Sequence, residues 1–225
     1  MESLLGKGFY EDGLSIHVVV LIAYAKQTGL NTSRKAAFMA LFTALSIATN
    51  YLMFPLWNVK LMDSLVFVSG YCLGMIGGVV VAILVWAVYG VLNPLGFSLF
   101  ILLTVAPAEM IYGLMGGLVG RRRSKNIFSN PNIKGFNLSF GVIGLLSTFI
   151  YDVITNAVSG ITFTNTLWPG IFVGLLTMNF PLPMGIIHEV SNFFLFAFLA
   201  PIIISRVDRV FVNHYPTFTQ KGVKG

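Results

Sequence analysis

The chain has 225 residues, of which 56% are apolar and only 10% charged, and its mean hydropathy is +0.83. A soluble domain of this length needs far more charge to cover its surface, so the composition excludes an ordinary soluble fold and points to a polytopic membrane protein. The net charge of +6 is no sign of nucleic-acid binding, because the basic residues sit in short clusters between apolar runs, as membrane topology requires.

Residues 1–33 are mixed in character. LSIHVVVLIAYA (14–25) is apolar but too short to span comfortably. It follows EDG rather than a basic stretch and lacks a small-residue cleavage site. It reads as an interfacial helix or a short strand. From residue 34 six membrane helices are expected. The first (35–54) stops near Phe54-Pro55; the second (64–76) and third (78–92) are joined tightly at MIGG. The fourth (97–120) follows the NPLG turn and precedes the polar loop RRRSKNIFSNPNIKG; the fifth is 137–159 and the sixth 184–205. The connection between the last two, SGITFTNTLWPGIFVGLLTMNFPLP, has room for a short helix entering the membrane partway.

The expected fold class is therefore an all-α membrane protein, a compact bundle of six transmembrane helices. Its expected parts are an N-terminal extension (1–33), the six-helix domain (34–206) and a basic tail (207–225). With six spans, the N-terminal segment, the 121–134 loop and the C-terminal tail share one side. They hold 13 of the 14 basic residues, leaving Lys60 alone on the other. Positive loops resist translocation, so both termini are expected to be cytoplasmic and the chain to lie in the cell membrane as a multi-pass protein.

Glycines recur on the second to fourth helices at 70, 74, 77, 78, 113, 116, 117 and 120. In apolar helices such residues let backbones approach, and no strand–loop–helix context makes them a phosphate loop. Cys72, the single cysteine, lies within an apolar run and reads as a small buried hydrophobe, so no disulfide framework and no thiolate metal cluster are expected.

Ionisable groups inside membrane spans are expensive, about 2.5 to 3.5 kcal/mol each at mid-helix. Glu109 falls near the middle of the fourth helix, Asp152 in the fifth, and His188 and Glu189 near the start of the sixth. Asp152 and Asn156 are four residues apart, as are His188 and Asn192, so each pair shares a helix face. If these helices surround a cavity, the polar groups converge in its outer half. No basic side chain in the same spans neutralises them, which leaves a cationic or donor-rich ligand, protonation, or a metal; mutual hydrogen bonding as structural glue is the alternative. Asp63 is placed at the boundary of the second helix, within reach of water. Trp57 and Trp168, in the two outer loops, either flank the entrance or anchor the interface.

Enzymatic motifs are incomplete. His188-Glu189 begins an H-E-x-x-H, but position 192 is Asn. Cys72 and His188 lack the intramembrane arginine a transpeptidase would add, and neither D-D-x-x-D nor G-x-S-x-G occurs. No catalytic residue, cofactor or metal is expected.

One further pattern needs a partner. AAFMALFTALSIA (36–48) places Ala36, Ala40, Ala44 and Ala48 on one stripe of the first helix, smooth enough for another helix to approach closely. Together with six spans, both ends inside and a long connection before the last helix, this ladder resembles the substrate-binding S component of energy-coupling factor (ECF) transporters. SLVFVSGYCLGMIGGVVVAILVWAVYGVLNPLGF is similar to that family's glycine-rich hairpin, GLMGGLVGRRR to the end of its fourth helix, and PMGIIHEVSNFFLFAFLAP to its last helix. The resemblance covers about 34–206. It implies that the alanine stripe docks on a transmembrane T component served by two cytoplasmic ATPases. It also implies that the chain captures a vitamin or related micronutrient from outside, in a pocket formed by the later helices and the loops after the first and fifth. On that reading Glu109, Asp152, Asn156, His188, Glu189, Asn192, Trp57 and Trp168 are the candidate substrate-binding residues. The acidic groups hint at an amine-bearing ligand. The other reading is a self-sufficient proton-coupled transporter, with Glu109 or Asp152 carrying protons.

Overall fold

In the computed structural model the described residues are 32–56, 58–94, 96–123, 136–177 and 184–212. All the regular structure among them is helical: α1 (Thr32–Met53), α2 (Leu61–Leu73), α3 (Met75–Tyr89), α4 (Leu99–Arg123), α5 (Leu138–Thr164), α6 (Trp168–Thr177), α7 (Met184–Phe194) and α8 (Ala200–Val212), with a π-helical segment (Leu195–Leu199) joining the last two. Four stretches are long and apolar enough to cross a membrane: Ser33–Met53, Leu99–Arg121, Leu138–Thr164, and Gly185–Val207, which runs continuously through α7, the π segment and α8. This defines the class, an all-helical membrane protein. Residues 14–25 and Trp57 lie outside the described residues.

α2 and α3 are shorter, 13 and 15 residues, or about 20 and 22 Å against the roughly 30 Å of a hydrocarbon core. The expected connection MIGG is in fact the first turn of α3; the chain reverses at Gly74, whose φ of 89° is one that L side chains rarely adopt. The hairpin closes onto α4 through glycine. A Cβ at Gly70 would collide with the Gly113 backbone, one at Gly116 with the Phe67 carbonyl, and one at Gly117 with Met75. The glycine pattern thus serves backbone contact within the bundle, as expected from sequence. Cys72 is partly buried against the same core.

α5 is fixed at both ends by asparagine. Asn137 Oδ1 accepts the Phe140 N–H (3.1 Å), and Asn165 closes the helix in the left-handed region with φ 53°. It therefore runs five residues beyond the expected end at 159. α6 is the short helix foreseen in the long connection, held against α5 by Gly160, Gly170 and Gly174. The last helix is also longer than expected, through Val212 rather than 205. Its π segment packs where α5 has Gly141 and Gly144, which face Phe193, Ala197 and Phe196; there the Ala197 carbonyl accepts the Asn137 N–H at 2.8 Å.

α1 lies against α2 and α3 with Phe42, Ser46 and Asn50 turned inward and buried. Tyr51 ties its end to α3's, donating to the Leu92 carbonyl (2.9 Å) and meeting Tyr89 edge to face. Ala36, Ala40, Ala44 and Ala48 are all exposed on the opposite side, so neither α2 nor α3 covers them.

Candidate functional site

Asp63 corrects the sequence reading most sharply. α2 begins at Leu61, three residues earlier than expected, so Asp63 sits in its first turn and is fully buried instead of water-accessible. It is the hub of the polar network. Its Oδ2 receives the Asn192 Nδ2–H at 2.7 Å and faces His188 Nε2, also at 2.7 Å. The other ring nitrogen, His188 Nδ1, faces Asp152 Oδ1 at 2.9 Å. The four-residue spacing of His188 and Asn192 on α7 points both side chains at the same carboxylate. Asn192 also donates to Thr148 Oγ1 (2.7 Å), which accepts from the Tyr112 hydroxyl at 3.1 Å. Tyr151 packs edge to face on His188, with ring centres 5.8 Å apart.

Glu109 belongs to the same network from α4. It is fully buried, accepts the Trp86 indole N–H through Oε2 at 3.2 Å, and its carboxyl is close enough to that of Asp63 to interact with it electrostatically. Pro107, two residues earlier, removes one backbone donor from the preceding turn of α4. The sequence reading concerned basic side chains in the same spans; the structure adds the histidine itself and a lysine from outside them. His188 stands between two carboxylates, and Lys60 from the α1–α2 loop acts electrostatically on Asp63, Glu109 and His188, its ammonium 5.1 Å from the Tyr151 ring centre.

The remaining candidates lie at the margin. Glu189 is half-buried next to Asp152 and His188, and Asn156 is half-buried one turn further along α5. Trp168 is 70% exposed at the start of α6, away from the cavity described next.

A cavity of about 490 Å³ opens beside this network, between the C-terminal ends of α1 and α3 and under the loop joining α1 to α2. Asn50 and Met53 come from α1; Phe54, Pro55, Leu56, Asn58, Val59 and Lys60 from the loop; Trp86, Tyr89 and Asn93 from α3 and its end. Its volume is typical of small-molecule sites. Neither Glu109 nor the Asp63–His188–Asp152 set lines it; they form the layer beneath. Trp86 connects the two, presenting its ring to the cavity and its N–H to Glu109. Trp86 was legible in principle: a tryptophan in an apolar helix needs an acceptor for its N–H, and Glu109 needs a donor.

Chemically, the network is suited to holding charge and protons. Among the described residues no group of three or more His, Cys, Asp or Glu has metal-binding geometry. The cavity is suited to a flat apolar body with a few polar contacts. No family model, curated protein or solved structure matches the chain.

Proposed function

We propose that the chain is the substrate-capture subunit of an ATP-driven importer of the energy-coupling factor type. In this reading it forms six membrane crossings with cytoplasmic termini, takes a vitamin-like solute from outside, and delivers it inward with a transmembrane T component and two ATPases. The observation that carries the reading is the alanine ridge. α1 commits Phe42, Ser46 and Asn50 to its own bundle and leaves Ala36, Ala40, Ala44 and Ala48 bare. Lipid alone gives no reason for four small residues in register, since leucine would serve as well; a closely packed foreign helix does. A chain without a nucleotide motif also needs an energy source elsewhere.

The ligand site in this reading is the cavity over Trp86. Among the described residues its charged lining residue is Lys60 and no carboxylate lines it, so the amine-bearing ligand hinted at by the acids is replaced by a ring-bearing solute with acceptor or acidic groups, stacked on Trp86 and Tyr89. The carboxylates beneath act on it only indirectly. Release then requires a conformational step supplied by the partner, because a ligand shifts an equilibrium only through different affinities for the two states.

Leucine at both Ala40 and Ala44 tests the reading. Uptake of the co-purifying solute, identified by mass spectrometry, is expected to be abolished in cells while its binding to purified protein stays within about twofold. Unaided uptake by the purified chain in vesicles, driven by a proton gradient, would contradict the proposal in favour of self-sufficient transport.

A further inference from the structure

The four ionisable groups beneath the cavity do not close their hydrogen bonds without extra protons. His188 faces a carboxylate oxygen through each ring nitrogen, at 2.7 and 2.9 Å. A neutral imidazole offers one N–H and one lone pair, so two ionised carboxylates are matched only by the imidazolium. Among the described residues, Asp63 Oδ1 has no donor, nor has Glu109 Oε1, although both residues are fully buried and their carboxyls are close enough to interact. Two ionised carboxylates so placed repel, and one proton held between them removes the repulsion. Asn192 Oδ1 is a further buried acceptor with no donor among the described residues, while its amide nitrogen is already committed to Asp63 and Thr148.

We propose that Asp63 and Glu109 form a buried proton-binding site, poised by His188 and Asp152, and joined to the cavity through Trp86. With the proton in place, Asp63 and Asp152 are negative, His188 positive and Glu109 neutral, leaving one net negative charge that Lys60 offsets nearby. Loss of the proton to water through the cavity doubles that net charge in a membrane interior, where uncompensated charge is expensive. The groups around the site come from five helices and one loop: Asp63 from α2, Trp86 and Tyr89 from α3, Glu109 and Tyr112 from α4, Tyr151 and Asp152 from α5, His188 and Glu189 from α7, with Lys60 from the loop.

The wiring is short. Trp86 lines the cavity, and its N–H is the donor that Glu109 Oε2 accepts. A solute that stacks on the indole and tilts it takes that donor away from Glu109, and so alters how tightly the proton is held. By linkage, protonation alters solute affinity by the same factor. The proton site itself does not depend on the importer reading; only its coupling to a solute rests on the cavity being the ligand site.

Infrared spectroscopy of the full chain in lipid nanodiscs, with the proton alone as ligand, tests the site. The unaltered protein is expected to show the C=O stretch of a protonated carboxyl at neutral pH, shifted in D2O. Glu109→Gln and Asp63→Asn should each remove it, Glu109→Asp should move it, and Asp208→Asn near the end of α8 should leave it in place. Absence of the band in the unaltered protein overturns the site whatever the variants do, as does a band that survives both Glu109→Gln and Asp63→Asn. A second measurement isolates the wiring: with Trp57 and Trp168 replaced by Phe, Trp86 emission is expected to titrate together with the band, and to stop titrating in Glu109→Gln. A band without a Trp86 response overturns the link to the cavity while the proton site stands.

Discussion

At the scale of the residue, Asp63 has an outsized structural consequence, because two partners from another helix converge on its one carboxylate. α2 supplies it in its first turn, and α7 sends His188 and Asn192 to the same oxygen, each at 2.7 Å. Removing it leaves an imidazole nitrogen without its partner and the Asn192 amide with Thr148 alone in a membrane interior, and breaking one side of a buried ionic pair costs about 3 to 5 kcal/mol. Asp63→Ala is therefore expected to lower the unfolding midpoint in detergent sharply, followed by helical circular dichroism. Glu189→Gln, half-buried at the margin, should change stability by less than about 1 kcal/mol. An Asp63→Ala protein as stable as its parent would mean that these bonds do not hold the bundle.

The polar network was partly legible in the sequence. Glu109, Asp152, His188 and Asn192 stand out because charge and amide are costly inside apolar helices, and the spacing of His188 and Asn192 gives their common face. Asp63 was not legible, because a difference of three residues in where α2 starts moves it from a wet boundary into the core. Lys60 stood out in the sequence only for topology, as the lone basic residue on its side; it lies in a loop, and only the fold brings that loop down over Tyr151.

At the scale of the element, the seating of α4 on the α2–α3 hairpin and the turn that leads into α4 depend on glycine at two kinds of position. Gly113 is needed for space, since a Cβ there would meet the Gly78 backbone, whereas Gly96 has nothing within 4 Å and matters only for its φ of 101°. Gly113→Ala is expected to cost about 1 to 3 kcal/mol by overpacking. Gly96→Ala should cost about 1 kcal/mol, a penalty arising from the backbone alone. Thermal unfolding of the two variants distinguishes them; equal losses would place the penalty in the glycine backbone and not in α2–α3–α4 packing. The glycine-rich pattern announced this packing, yet not the point of reversal, because Gly74, Gly77 and Gly78 are alike in sequence and only one of them turns the chain. The π segment was invisible for the same sort of reason: it follows from fitting Phe196 against Gly144, a tertiary demand with no local signature.

At the scale of the whole molecule, the two faces of α1 divide the labour. The inward face joins the bundle and, through Asn50 and Met53, one wall of the cavity; the outward face is the uncovered alanine ridge. The sequence revealed the ridge, and the resemblance to ECF S components supplied an occupant for it. Sequence also placed the ligand among the acids of the later helices, whereas the cavity lies on α1, α3 and the first loop, one layer above those acids. Residue types alone indicate which groups are costly to bury, not which of them face open space.

The central claim is that this ridge seats a foreign membrane subunit, and photo-crosslinking tests it most directly. A photoreactive residue at position 40 or 44, activated in native membranes, is expected to form an adduct with one polytopic membrane protein that itself co-purifies with ATPase subunits. The same probe at position 42, on the buried face, should react only within the chain. Adducts at 40 and 44 confined to lipid or to a second copy of this chain would contradict the account.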